Sequence, residues 1–257
     1  RMNGKAFLKA LYYTVASFTV VIVLWQVAIM VWRPGDFLLP SPLAVLRALV
    51  AWVVDGTLAL GLRDSLGRFV VGYSAAVAVG VAFGLLLGLC NGLFRYAYPL
   101  IQLVRPIAPV AWMPFIVLLL GIGDAPAIVI IFLAGFFPVL LTTASATHRI
   151  DPIYAKVAAN YGVARSAYVF RIVLPAIFPQ IANSLHIALG TSWIFLVSGE
   201  MMGAQTGLGY MIIDARNNMR TDQLLATMIV IGAAGFALDL LVGRLTSSVL
   251  KRWGAAA

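Results

Sequence analysis

Of 257 residues, 62% are hydrophobic and only 11% charged, against about 45–50% and about 25% in soluble domains. Too few polar groups exist to cover a water-soluble fold of this length, so lipid is the expected solvent and an all-α integral membrane protein, one domain over residues 1–257, the expected class. The net charge of +9 is spread in short basic segments between uncharged runs, the pattern of loops facing anionic lipid, so the expected partner is membrane lipid and not nucleic acid.

A spanning helix needs about 20 apolar residues, and the charge-free stretches mark about six. The first is 11–32, between Lys9 and Arg33. It is too long for a signal-peptide core and lacks a small-residue cleavage site after it, so it is expected to stay in the mature protein. Next, Leu39-Pro40-Ser41-Pro42 opens a shorter helix, with Ser41 as cap and Pro42 at the first position. Leu43, Leu46, Val50 and Val53 then recur at helical spacing. This segment either lies in the outer interface with Arg47 toward water or is a packed connector.

The second span is 69–94, bounded by Arg68 and Arg95, and holds the single cysteine, Cys90, read as a small buried hydrophobe. Spans three and four, 106–123 and 125–147, are separated only by the turn Gly121-Ile122-Gly123-Asp124-Ala125-Pro126. Pro175 and Pro179 push the expected start of span five to about 180, giving 180–199, and span six covers about 223–242. Placing the N-terminus inside puts twelve of the 18 Lys and Arg residues inside and six outside, with seven of the nine acids outside. That bias predicts cytoplasmic termini and a cytoplasmic 148–171 loop.

That loop reads as a helix, a break and a second helix. Asp151 caps and Pro152 occupies the first position. Ile153, Val157 and Tyr161 form one apolar stripe, with Lys156 off it. Gly162 suits a left-handed reversal before the chain reaches Leu174-Pro175.

At these residues the sequence resembles the permeases of ATP-binding-cassette importers, whose signature loop is Glu-Ala-Ala, three residues, Gly, nine residues, Ile, one residue, Leu-Pro. Lys156, Val157, Ala158, Gly162, Ile172, Leu174 and Pro175 occupy those places, with Lys156 standing for the glutamate and Val157 for the first alanine. The segment 105–114, the turn 121–124, Leu-Pro-Ser-Pro at 39–42 and Gly207-Leu208-Gly209-Tyr210 are similar to the nitrate, sulfonate and taurine branch. The resemblance implies a type I importer permease fold in a bacterial inner membrane and a homodimer of this subunit. It also implies two cytoplasmic ATPase subunits docked on the coupling loop at about 148–175, and a periplasmic or lipid-anchored solute-binding protein. The transported solute would be a small anion such as taurine, an alkanesulfonate or nitrate, or a vitamin precursor.

No Gly-x-x-x-x-Gly-Lys-Ser/Thr motif occurs, so ATP and Mg are expected on the partner ATPase, with no cofactor and no enzymatic role here. His148 and His186, the two histidines, lack metal-ligand spacing. His186 faces either the translocation path or a neighbouring helix. Ser192, Ser198 and Glu200 toward the outer end of span five are further candidates for the path. An ion-coupled secondary transporter is the alternative, but it would normally show paired repeats and several intramembrane carboxylates.

Overall fold

The computed structural model describes residues 4–32 and 35–252, and all regular structure among them is helical. In chain order the helices are α1 (Gly4–Trp32), α2 (Gly35–Leu38), α3 (Pro42–Val54), α4 (Thr57–Leu89), α5 (Asn91–Val104), α6 (Met113–Leu120), α7 (Asp124–His148), α8 (Pro152–Asn160), α9 (Arg165–Tyr168), α10 (Leu174–Gly203), α11 (Leu208–Asn217) and α12 (Thr221–Arg252). Five stretches are long and apolar enough to cross a membrane, or six if the bent pair formed by α5 and Pro109–Leu120 counts as one span. The all-α membrane expectation therefore holds.

The chain forms two compact units, Arg1–Leu60 with Met211–Val230, and Gly61–Tyr210 with Ile231–Ala257. In the first, α1 packs on α3. The Ser41 hydroxyl accepts the Ala44 N–H at 3.2 Å, with Pro42 in the first turn, so α3 begins where its cap residues lie. Its buried face is Val45 and Ala48, which cluster with Ala226 against Trp25 and Trp52. Leu43, Leu46, Val50 and Val53 form a different face and stay exposed, an arrangement stable only against lipid or another protein.

The second unit is built on α4, α7 and α10. From Gly72 to Gly88 a small residue of α4 recurs every four residues: a Cβ at Gly72 would lie 2.8 Å from Ile128 O, and one at Gly84 2.9 Å from Leu140 O. Ala76, between them, is fully buried. Without a hydrophobic driving force between helices in lipid, such close backbone approach supplies dispersion contact instead. Ile130 and Ala188 are buried between α7 and α10, Ile131 and Val139 are buried against Gly72 and Gly80 of α4, and Leu196 is fully buried, while Val70, Phe83, Ile187, Ile194 and Phe236 stay exposed for lipid.

Four expected boundaries shift. Span two begins at Thr57, not at 69, so Arg63 and Arg68 lie inside α4 rather than in a loop. Span three, expected over 106–123, narrows to the Pro109–Leu120 segment, which makes one span only when joined across an 82° bend to α5, a helix not expected from the sequence. Ala108 sits at φ −56°, ψ 133°, the extended conformation forced on a residue before proline. Span five is continuous over Arg165–Gly203, because Pro175 falls in the first turn of α10 after a π turn, Val169–Val173. A missing N–H is tolerated there. Span six reaches Arg252, enclosing Asp239 and Arg244.

Candidate functional site: a projecting loop and a buried ion network

The 149–175 loop is built as its cap residues dictate. The Asp151 carboxylate accepts the Ile153 N–H at 2.8 Å, starting α8. At the other end Val163 N–H reaches Ala158 O at 2.9 Å and Gly162 N–H reaches Ala159 O at 3.0 Å. Gly162 has φ +67°. This is a Schellman ending, with glycine in the left-handed position. A Cβ on Gly162 would meet no atom within 4 Å, so its requirement for glycine is conformational and not steric.

Ala158 is buried, whereas Lys156 and Val157 are exposed, as are Ile153, Tyr154 and Tyr161, the last to 82%. A nine-residue helix that presents this much apolar surface has no counterpart for it within the described residues. Ile172 lies in the π turn, and Leu174 and Pro175 begin α10. The loop's return is anchored: Val173, Ile177 and Ile181 are buried together against Val81, Leu85, Ile150, Tyr168 and Leu174. A firm base thus carries a protruding apolar helix.

At the opposite end of the same unit lies a cluster that the sequence reading treated as separate loop and path residues. Arg68, 5% exposed, donates from Nη1 to Glu200 Oε1 at 2.6 Å, and Glu200 is itself 0% exposed. Arg68 Nε and Nη2 both approach Asp124 Oδ1 at 2.7 Å, and that carboxylate remains 68% exposed. The guanidinium also donates to Thr206 O at 2.7 Å and to Thr206 Oγ1 at 2.6 Å. Glu200 is completed by Ser65 Oγ at 2.8 Å and the Gly209 N–H at 2.9 Å, and Ser65 in turn accepts the Leu208 N–H at 2.8 Å. Gly207, at φ +102°, brings its Cα so close to Glu200 and Arg68 that no side chain fits. One arginine therefore ties α4, the start of α7, the end of α10 and the 204–209 segment together. A buried charge so fully partnered is the arrangement that membrane and protein interiors tolerate.

The remaining candidates lie along α10. Ser192 is buried and donates to Ile131 O at 3.1 Å, across to α7. Ser198 donates to Ile194 O at 3.3 Å within its own helix. His186 Nδ1 lies 2.8 Å from Asp239 Oδ1 on α12, both side chains partly exposed. Asp239 thus pairs with His186. Arg68, Asp124 and Glu200 each border a charge-free stretch in the sequence, but spacing alone does not reveal that the interior of α4, the start of α7 and the end of α10 converge there.

Residues 80–254 match the family described as binding-protein-dependent transport system inner membrane component. The chain is 31% identical over 243 residues to the nitrate import permease protein NrtB of Synechocystis sp., covering 91% of this chain and 87% of that protein. It is 31% identical to the taurine transport system permease protein TauC of Escherichia coli, covering 88% and 84%. To the bicarbonate transport system permease protein CmpB of Synechococcus elongatus it is 35% identical, covering 73% and 68%. Among solved structures, an inward-facing MetNI methionine ABC transporter chain matches with TM-score 0.63 at 19% identity, over 74% of this chain and 94% of that one, a likeness of fold. The chain belongs to the binding-protein-dependent transport system inner membrane components, the multi-pass permeases of ATP-binding-cassette importers.

Proposed function

We propose that this permease forms, with a second copy of itself, the path for a small anion of the nitrate, taurine or alkanesulfonate type. Two cytoplasmic ATPase subunits holding ATP and Mg drive it, and a periplasmic or lipid-anchored binding protein delivers the solute. The exposed apolar helix α8 on its anchored base carries the reading: Ile153, Val157 and Tyr161 are positioned for a groove on another protein, and helix-in-groove docking uses such i, i+4 anchors. Lys156, Val157, Ala158, Gly162, Ile172, Leu174 and Pro175 make up this coupling loop. The twelve-to-six basic bias supports placing it and both termini in the cytoplasm. The small-anion substrate is supported by the nitrate, taurine and bicarbonate named for the relatives.

Of the four path candidates on α10, His186 and Ser198 retain exposure and are proposed to border the path. Ser192 and Glu200, fully buried, act by holding α10 in place. No metal or cofactor is assigned to this chain. The test is co-expression with ATPase and binding-protein subunits of importers from the same genome, followed by vesicle uptake of nitrate, taurine, bicarbonate and ethanesulfonate. ATP-dependent uptake of one anion is expected. Failure of any ATPase to co-purify with the wild-type chain, while doing so with a known permease in parallel, would overturn the reading.

A further inference from the structure

A cavity of about 930 Å³ opens at the loop end of the second unit, between α5, the end of α7 and the start of α10. Phe94, Tyr98, Gln102 and Arg105 line it from one face of α5, and His148, Arg149 and Asp151 from the end of α7 and the turn after it. Among the described residues neither Arg105 nor Arg149 has a salt-bridge partner. The one carboxylate at the rim, Asp151, is engaged through Oδ1 in capping α8. Two arginines thus line one concave space together with a single carboxylate. The carbonyl ends of α5 and α7 and the Asp151 carboxylate offset much of the arginines' positive charge, so an anion there would be held by direct charge-assisted hydrogen bonds from the arginines rather than by net charge. Gln102, whose amide donates to Tyr98 Oη at 2.6 Å, and Gln180 on α10 add neutral donors.

We propose that this cavity is an anion-binding site, taking a phosphate, sulfonate or similarly sized oxyanion through Arg105 and Arg149. The chemistry fits two sources: a free anion at that membrane face, or the headgroup of an anionic lipid. The inference rests on the permease reading only for which compartment the cavity faces; binding itself needs neither ATPase nor turnover. The ordinary role of basic residues near a membrane, diffuse attraction to lipid, predicts that any Arg at this level would serve equally. Arg95 makes that separable, since it lies on the same helix, exposed, and does not line the cavity.

The experiment uses the full chain purified in mild detergent as wild type, R105Q, R149Q, the double variant and R95Q. One arm titrates radiolabelled sulfate, nitrate and taurine by equilibrium dialysis after delipidation. The other measures phosphatidylglycerol retained per chain by native mass spectrometry. Loss of one charge-assisted contact should weaken binding about tenfold, with the double variant abolishing it and R95Q unchanged. Saturable binding of a free anion lost in the double variant identifies a soluble ligand. Retained phosphatidylglycerol lost in the double variant identifies the lipid. No binding in either arm, or losses matched by R95Q, overturns the site. ATPase co-purification measured on the same variants stays informative, so the site can fail while the permease reading stands.

Discussion

Gly162 offers the most direct test of how the loop transmits force. Its φ of +67° lies in the left-handed region, and the position is open on all sides, so a substitution there acts through the backbone alone. Alanine should cost about 1–2 kcal/mol at this turn, asparagine less because it tolerates the conformation, and valine more because β-branched residues are outliers there. Relief of that strain means abandoning the two Schellman hydrogen bonds and turning the exit of α8. The membrane bundle does not depend on this turn, so insertion and thermal stability should be unchanged across the series. Uptake should fall in the order Gly, Asn, Ala, Val, with ATPase co-purification or coupled hydrolysis falling in parallel in reconstituted vesicles. Gly190→Ala is the control, because a Cβ there meets nothing within 4 Å. Gly135 would be a poor one, since its Cβ would lie 2.7 Å from Ser192 Oγ. Wild-type uptake and hydrolysis in Gly162→Val would refute the coupling assignment.

Three further outcomes follow from the geometry. Arg68→Ala leaves Glu200 buried and unpaired, so it should destabilise the protein by about 3–5 kcal/mol, whereas Ser65→Ala, which orphans the Leu208 N–H, should cost about 1–3 kcal/mol; thermal unfolding in detergent that ranks them equally would contradict the network. Gly84→Val should lower folded yield sharply, since its Cβ would press on the Leu140 carbonyl, a backbone atom that cannot rotate away; wild-type size-exclusion behaviour would count against the close approach of α4 and α7. In a Cys90→Ser background, needed because Cys90 is a free exposed thiol, a cysteine at Arg165 should resist an impermeant maleimide in intact cells; labelling would reverse the proposed topology.

The spans were legible because a lipid solvent leaves its mark in every charge-free stretch, and the 149–175 loop because capping is local chemistry: Asp151, Pro152 and Gly162 each act within a few residues. The start of span two was missed for the opposite reason. Arg68 reads as a boundary when burial of an arginine is taken to be prohibitive, and only the arrival of Glu200, Asp124 and Thr206 from distant sequence makes it affordable within α4. Span five was cut short by reading Pro175 and Pro179 as breakers, whereas Pro175 falls in the first turn of α10 and the helix runs on through Pro179. The four-residue recurrence of Gly72, Ala76, Gly80, Gly84 and Gly88 was readable as a packing stripe, since small residues at one spacing on an apolar helix mark where another backbone comes close.

Fastening α4 to the start of α7 and the end of α10 through Arg68 also has a mechanical meaning. α4, α7 and α10 are pinned to one another by charge at the ion network, whereas at the loop end, beside the π turn and the cavity, the described residues join them through apolar contact, Val173, Ile177 and Ile181 against Val81 and Leu85, and through the close approach of Gly88 to α7. The unit is therefore a lever with its fulcrum at one membrane face. α7 has 25 residues, so its arm is roughly 37 Å at about 1.5 Å per residue. A tilt of only about 5° about the pinned end would swing the far end by about 3 Å over that length, a displacement on the scale of a side chain.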